Sequence, residues 1–153
     1  MTISIVYKGK IQAQQRPRHR IVKTKDGRVF ANTYEAQESR DFKSYFHLTA
    51  QSQMAEKGLK TITGPCSLSV VVYMPIPASF SQKKRKQALA GDILPAKKPD
   101  VDNILKAVMD ALNGVAYADD RLVVRAFIRK AYDETEAVVV IVETEYDEEG
   151  MPK

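Results

Sequence analysis

The sequence predicts a single small α+β domain, in which a mixed or antiparallel sheet of about four to five strands carries helices packed on it. The length of 153 residues is that of one ordinary domain, and a hydrophobic content of 44% is enough for a core. Segments of alternating apolar residues are interleaved with segments of helical apolar spacing. No repeat or linker divides the chain, so we predict one domain over residues 1–145 and an acidic flexible tail over residues 146–153.

The first half of the chain predicts a strand, a hairpin and a long helix. Alternating apolar residues predict the strand over Ile3–Lys8. A turn at Asp26-Gly27 predicts a hairpin between short strands at Ile21–Lys23 and Arg28–Ala31. The run Tyr34–Lys57 contains no proline or glycine, so we predict a helix there.

The second half predicts three strands and two helices. A strand over Ser67–Met74 is followed by a basic helix over residues 82–90, with Ser81 as its N-cap and Gly91 as its end. Apolar residues at helical spacing predict a second helix over Val101–Asn113. We expect the final strands, Leu122–Tyr132 and Ala137–Thr144, to be antiparallel neighbours across a turn at Asp133-Glu134. The almost continuously apolar run AVVVIV predicts that the last strand is central and covered on both sides.

Several classes of protein are excluded by composition. The only cysteine, Cys66, cannot form an intramolecular disulfide, and two scattered histidines, His19 and His47, do not make a zinc site. No apolar run approaches the roughly 18 residues of a membrane helix, and the N-terminus lacks a signal pattern. We therefore expect a soluble, cytoplasmic protein without a membrane partner or a nucleotide cofactor, and any metal chemistry has to rest on carboxylates.

The charge is divided unevenly along the chain. Residues 1–98 carry 18 Lys and Arg against 6 Asp and Glu, whereas residues 99–153 carry 6 against 13. A basic segment beside an acidic one suits a polyanion-binding surface around a cation-binding pocket. Part of the negative charge belongs to the predicted tail, where the acidic side chains can simply be solvated without belonging to a cation-binding pocket.

Four aspartates flank the helix predicted over Val101–Asn113. Asp100 and Asp102 stand at its start, and Asp119 and Asp120 open the next strand, so the two ends meet if the connection folds back. Three such carboxylates within about 4–5 Å would repel by about 3–4 kcal/mol per pair, which favours neutralisation by a cation. Oxygen ligands without sulfur or histidine select Mg²⁺, Mn²⁺ or Ca²⁺.

Lys106 lies one helical turn after Asp102 and can neutralise charge on a phosphate, which the helix N-terminus also favours. A purely structural interpretation stays open for these residues. In that case Asp100 is an ordinary N-cap, and Asp102 forms an ordinary salt bridge with Lys106.

The run KKPDVDNILKAVMDALNGVAYADDRLV resembles the signature of the RusA family of Holliday-junction resolvases, the crossover junction endodeoxyribonucleases of phages and prophages. That family shows a K/R-P-D-x-D-N-x-x-K-x-x-x-D-A-L-N-G element followed by a D-D pair. The match is gap-free over about 25 residues. Here it is carried by Lys98, Pro99, Asp100, Asp102, Asn103, Lys106, Asp110, Ala111, Leu112, Asn113, Gly114, Asp119 and Asp120.

The resemblance implies a role for each matching residue. The metal-binding acids fall on Asp100, Asp102 and Asp120, with Asp119 as an accessory, and the catalytic lysine falls on Lys106. It further implies Mg²⁺ as the cofactor, with Mn²⁺ as a possible substitute, and a homodimer that nicks two strands of a four-way junction symmetrically. Some members have a basic residue where this chain has Pro99, so the phosphate contacts there are expected to differ. The relationship to phage-type members implies work in the cytoplasm of a bacterial host.

A homodimer also has a physical argument. One chain offers one metal site, whereas resolving a junction takes two cuts. The phosphate backbone has two candidate binding segments, one near the N-terminus and one before the aspartates. Their candidate DNA-binding residues are Arg16, Arg18, Arg20, Lys83, Lys84, Arg85, Lys86, Lys97 and Lys98.

Other functions remain compatible with these patterns. The same chemistry suits a metal-dependent nuclease acting on other branched or single-stranded DNA. A branched-DNA-binding protein without catalytic activity would bind but not cut, and an interaction module would show no salt-dependent DNA affinity.

Overall fold

The computed structural model describes residues 1–13, 18–34, 36–146 and 151–152. Within these ranges each predicted helix and strand is confirmed, with ends shifted by no more than three residues. The elements in chain order are β1 (Thr2–Lys8), β2 (Arg18–Lys23), β3 (Val29–Tyr34), α1 (Gln37–Glu56), β4 (Cys66–Pro75), α2 (Gln82–Ala90), α3 (Val101–Leu112), a 3-10 turn (Asp120–Leu122), β5 (Val123–Asp133) and β6 (Ala137–Thr144).

The strands form a mixed four-stranded sheet and a separate two-stranded hairpin, so the predicted single α+β domain is confirmed. The sheet has the order β1-β6-β4-β5. β6 is antiparallel to both of its neighbours, β1 and β4, whereas β4 and β5 run parallel.

The prediction that the last two strands are neighbours is wrong, because β4 lies between them. Four residue steps separate Asp133 from Ala137 and can span about 13 Å, more than the roughly 10 Å across two strand spacings. The chain therefore crosses the end of β4 without forming a hairpin. The N–H of Ile76, directly after β4, donates to the carbonyl of Asp133 at 3.3 Å and fixes this crossing.

The core lies between one face of the sheet and the helices α1 and α3. Every second residue of β4, from Cys66 to Met74, is buried on this face beside the alternate residues of β1 and β6. Phe42 and Phe46 of α1 pack against Tyr7 of β1, with ring centroids 5.3 and 5.1 Å from its ring. The packing holds α1 and α3 side by side over the sheet.

The other face of the sheet is not covered by a described helix or strand. β6 has the interior position that was predicted, but the prediction that both of its faces are covered is wrong. Val139 is only half-buried, and Ile141 is 39% exposed. Val6 of β1 and Phe127 of β5 are also exposed on this face. Ser4, Arg125 and Arg129 are exposed there too, so the uncovered surface mixes apolar with polar and charged side chains.

The hairpin β2-β3 is longer than predicted, and it lies apart from the sheet. Its two strands pair from Arg18 with Tyr34 to Lys23 with Val29. None of the other described helices or strands has more than marginal contact with either strand. The turn is closed by Gly27, whose φ of +85° is available to glycine without strain.

Two expectations concern the surface and the end of the chain. None of the helices in the described parts of the chain is both long enough and apolar enough to cross a membrane. The predicted tail, residues 146–153, lies largely outside the described residues. Of the part that is described, Tyr146 forms an isolated bridge with Pro152.

Candidate active site

The helix α3 carries the candidate residues because its two faces differ in polarity. Ile104, Val108 and Leu112 follow one another at intervals of four residues and are completely buried. The opposite face presents Asp102 and Lys106 to solvent. The packing of α3 on the sheet thus fixes the helix, while its polar side chains remain accessible to a substrate.

The connection after α3 folds back on the helix, as the sequence argument required. Gly114 adopts a φ of +76°, and its N–H donates to the carbonyl of Tyr117 at 2.8 Å, which closes the turn. Ile62 exchanges backbone hydrogen bonds of 2.9 Å with Ala116 and Ala118, on either side of Tyr117. These bonds hold the returning chain against the body, so that the following aspartates are brought back beside α3.

Tyr117 ties this returning segment to α3. Its side chain is fully buried, and its hydroxyl donates to the carbonyl of Met109 at 2.9 Å. Burial raises the pKa of Tyr117, and the negative charge of nearby Asp120 raises it further. The phenol is therefore neutral and serves as a structural donor beneath the candidate site. Tyr117 was not identified from the sequence, where it was one residue of a short loop.

A cavity of about 300 Å³ brings together residues from both ends of this arrangement. It is lined by Asp102, Leu105, Lys106, Met109, Asp110 and Asp120. Three carboxylates and one ammonium group therefore face a shared open space, with two apolar side chains beside them. Such a space is suited to a solvated cation and a phosphate.

The other two candidate aspartates lie beside this cavity and do not line it. Asp100 occupies the N-cap position of α3, but its side chain makes no capping hydrogen bond. The side chain of Asp119 accepts from the N–H of Arg121 at 3.0 Å and pairs with the Arg121 guanidinium at 3.7 Å. Asp119 thus caps the 3-10 turn that follows it, while Asp120 lines the cavity.

The purely structural interpretation of Asp102 and Lys106 predicts a salt bridge between them. Instead, Lys106 Nζ lies 3.7 Å from Asp110 Oδ1, on the next helical turn. Asp102 Oδ1 accepts from the N–H of Asn103 at 2.9 Å, which leaves its other oxygen toward solvent. Among the described residues, neither Asp102 nor Asp120 takes part in an ion pair.

Asp110 joins Lys106 to the neighbouring helix. Its second oxygen lies 3.1 Å from Nζ of Lys43 on α1, an ion pair in which both side chains are largely buried. One turn further along α1, Nδ1 of His47 lies 2.9 Å from the carbonyl oxygen of Ala111. Asp110 was part of the recognised sequence element but had no role assigned to it, and no signal in the sequence linked Lys43 to it.

Lys130 fixes the loop before Asp100. It points from β5 toward the start of α3, where Nζ donates to the carbonyls of Lys97 at 2.7 Å and Pro99 at 3.2 Å. These bonds hold the backbone on both sides of Lys98, directly before the first aspartate. No pattern in the sequence indicated this role, since Lys130 reads as an ordinary residue of a strand.

The candidate DNA-binding residues lie on three exposed parts of the chain. Arg18 and Arg20 are on the hairpin, Lys83, Lys84 and Lys86 are on α2, and Lys97 and Lys98 are in the loop that leads to Asp100. Arg85 is half-buried and pairs with Glu134 at 3.6 Å, so part of its charge is compensated. Arg16 lies outside the described residues.

The residues around the cavity suit a hard divalent cation in their chemistry. Asp102 and Asp120 offer carboxylate oxygens, which Mg²⁺ and Mn²⁺ prefer, whereas both oxygens of Asp110 are paired with lysines. Within the described residues, however, no three Asp, Glu, His or Cys side chains approach closely enough to form a complete metal site. The donor set fits, and the side chains would have to close on the cation, as the mutual repulsion of unneutralised carboxylates leads one to expect.

The comparisons with known proteins agree with the resemblance in the sequence. Residues 8–143 match the family described as endodeoxyribonuclease RusA. A protein of Bacillus subtilis (strain 168), YqaN, is 40% identical over 136 residues, which is 88% of this chain and 90% of that protein. It is described only as uncharacterized. The family match includes the hairpin, α1, and the whole Lys98–Asp120 segment with α3.

Proposed function

Because the chain belongs to the RusA family of endodeoxyribonucleases, we propose that it is a Mg²⁺-dependent, structure-specific endodeoxyribonuclease that resolves Holliday junctions by paired, symmetric phosphodiester hydrolysis. The observation that carries the proposal is the cavity in which Asp102, Lys106 and Asp120 meet. The acids come from two segments of chain, and only the fold-back connection makes them neighbours.

In this proposal the aspartates hold the cation. Asp102 and Asp120 would hold it in the cavity, with Asp100 as a further ligand from the start of α3 and Asp119 as an accessory. A bound Mg²⁺, or Mn²⁺ in its place, supplies Lewis-acid polarisation of the scissile phosphate and activation of water. The chain itself supplies the orientation, because α3 and the Tyr117 hydrogen bond fix the two ends of the site relative to each other.

Lys106 is proposed to neutralise the charge that develops on the phosphate. Its side chain is 64% exposed, so it can reach a substrate, and the ion pair with Asp110 restricts its direction. The N-terminus of α3 adds N–H groups that favour phosphate oxygens on the same side. Mg²⁺ and lysine would thus contact different oxygens of one phosphate.

The DNA is proposed to bind through the hairpin, α2 and the loop at Lys97 and Lys98. If six to ten cationic residues touch phosphates, affinity falls by roughly 10³–10⁵ between 50 and 200 mM salt. Removing Arg18 and Arg20 together is expected to reduce the slope of log affinity against log salt by about two, whereas removing two lysines outside these segments leaves the slope unchanged.

A homodimer is part of the proposal, because one cavity per chain has to act twice on a junction of approximate two-fold symmetry. The uncovered face of the sheet offers apolar side chains, among them Phe127 and Ile141, that a second copy would bury. Light scattering at micromolar protein concentration should give twice the chain mass. A monomer that still nicks both strands in one binding event would contradict the dimer.

The test of the function is a nicking assay on an immobile four-way junction with Mg²⁺. Wild type should give paired, symmetric nicks, and Asp102→Asn should bind the junction but not cut it. Asp92→Asn is the matched control, since Asp92 is an exposed acid outside the cavity and its removal should leave cutting unchanged.

The same assay separates the two alternatives. Faster cutting of flaps, forks or single strands than of the junction would identify a nuclease with another target. Junction binding without cutting by wild type, in Mg²⁺ and in Mn²⁺, would identify a branched-DNA-binding protein without catalytic activity.

A further inference from the structure

We propose that the β2-β3 hairpin binds at the branch point of the junction and places Phe30 against the unstacked bases there. This inference rests on the proposed function, in that the substrate is branched DNA, but it concerns an element outside the candidate site. The hairpin stands apart from the sheet, and its described side chains are exposed except for the half-buried Val22 and Thr24. A two-stranded hairpin without a partner is marginally stable, so its exposure indicates a surface that is completed by binding.

The exposed side chains of the hairpin are of an unusual kind for a free surface. Phe30 is 50% exposed and Ile21 is 74% exposed, on opposite faces of the hairpin. Between residues 18 and 34 there are five Lys or Arg residues against one Asp. The Asp is Asp26, which pairs with Arg28 in the turn at 3.3 Å and leaves the strands themselves purely basic.

The register places the aromatic ring and the arginines on one face. Phe30 pairs with Val22, and alternation along β2 puts Arg20 and Arg18 on the same side of the hairpin. Cationic groups that contact phosphates beside a ring that stacks on bases are the combination that binds unpaired nucleotides. The opposite face carries Ile21, Lys23 and Val29, and its one ring, the imidazole of His19, is held by Thr33 at 3.0 Å.

The hairpin leads directly into the N-terminal end of α1. Contacts between α1 and the α3 segment run in the same order along both: Lys43 meets Asp110, His47 meets Ala111, and Met54 shares a cavity with Val115. The start of α1 therefore lies toward the end of α3 that carries Asp102. A strand engaged at the cavity would continue toward the hairpin.

Charge decides between DNA and a second protein chain as the occupant of this surface. A strongly basic hairpin complements a polyanion, and a second copy of this chain would present the same basic hairpin in return. A two-stranded ribbon also has the width that fits a DNA groove. The apolar ring is useful only where base stacking is interrupted, which in a junction is the branch point.

The test uses junctions that carry 2-aminopurine at the branch point, in EDTA so that no cutting takes place. Wild type should raise the fluorescence, whereas Phe30→Ala should abolish the rise and weaken junction affinity about tenfold, or about 1.4 kcal/mol. The affinity of Phe30→Ala for an unbranched duplex should stay within about twofold of the wild-type affinity. Val29→Ala, a similarly exposed neighbour on the other face, is the matched control and should behave as wild type. Phe30→Trp keeps a stacking surface and should retain the signal.

Three results would overturn the inference. Phe30→Ala with wild-type fluorescence and wild-type junction affinity would show that the ring does not stack. An equal loss on junction and duplex would show an ordinary groove contact. If gel filtration shows that Phe30→Ala changes the mass of the protein in solution, a second copy covers the hairpin and the inference fails. The readout does not involve cutting, so its failure is distinguishable from failure of the proposed nuclease activity.

Discussion

Replacing Lys130 with methionine removes the two hydrogen bonds that hold the loop before Asp100. These bonds join Nζ to the carbonyl oxygens of Lys97 at 2.7 Å and Pro99 at 3.2 Å. Hydrogen bonds from charged groups contribute about 1.5–3 kcal/mol when dry, and we expect about 1 kcal/mol each here, since water can reach this half-buried site. The free energy of unfolding should therefore fall by about 2 kcal/mol, and Tm by about 4–8 °C for a chain of this length.

The loss of activity should exceed what the loss of stability explains. Without the lysine, the backbone before Asp100 gains freedom, and the position from which Asp100 is proposed to join the cation site is no longer fixed. At a temperature where the variant is folded, we expect its single-turnover cutting of a junction to fall at least about tenfold, since small displacements of catalytic groups are costly. The Mg²⁺ concentration for half-maximal rate should rise, while junction affinity stays within about twofold.

Lys60→Met provides the control, because Lys60 is an exposed lysine away from this loop. It makes the same change in charge and should leave stability and cutting unchanged. The contrary result is a free energy of unfolding within about 0.5 kcal/mol of wild type together with cutting at the wild-type rate. In that case other contacts hold the loop, and Lys130 does not support the site.

Three further predictions concern the groups that support the site. Tyr117→Phe removes the donor to the Met109 carbonyl and should lower the free energy of unfolding in urea by about 1–2 kcal/mol. Folding raises the pKa of Tyr117, so its neutral phenol stabilises the wild type below about pH 10, and this stabilisation is lost as the pH rises further. The phenylalanine variant has no such group, so its urea midpoint should fall less steeply than that of wild type between about pH 8 and 11. Lys43→Met and Asp110→Asn should couple by about 1 kcal/mol in a double-mutant cycle on urea stability, and additive effects would contradict the importance of their 3.1 Å ion pair. Ser81→Ala removes the N-cap of α2 and should cost about 1 kcal/mol in thermal melts, with an unchanged Tm as the contrary result.

The elements of this fold that were predictable are those whose signal is local. The apolar spacing of α3 predicted both its extent and its buried face, and Ser81 and Gly91 marked the ends of α2. Local signals do not specify which strands are neighbours. The short connection from Asp133 to Ala137 suits a hairpin equally well as a crossing over the end of β4, and only the pairing of β4 with both strands decides between them.

The residue types of the candidate site were predictable from the sequence, but the residues that hold the site in place were not. Asp102, Lys106 and Asp120 belong to one recognisable run of sequence, and the fold-back after Gly114 brings them to one cavity. Lys130 is distant in sequence from the backbone it fixes, and Lys43 from the side chain it contacts. Such partners are set by the packing of β5 and α1, which no local pattern records.

The most direct test of the account is the single-turnover rate of junction cutting by Asp102→Asn, Asp120→Asn and the double variant, at saturating protein. If both acids hold one cation in one site, each single change should lower the rate at least about 100-fold, and the double variant should be about as slow as the slower single. Losses that multiply in the double variant would mean that the two acids act independently. A rate within about threefold of wild type for either single variant would remove that residue from the site.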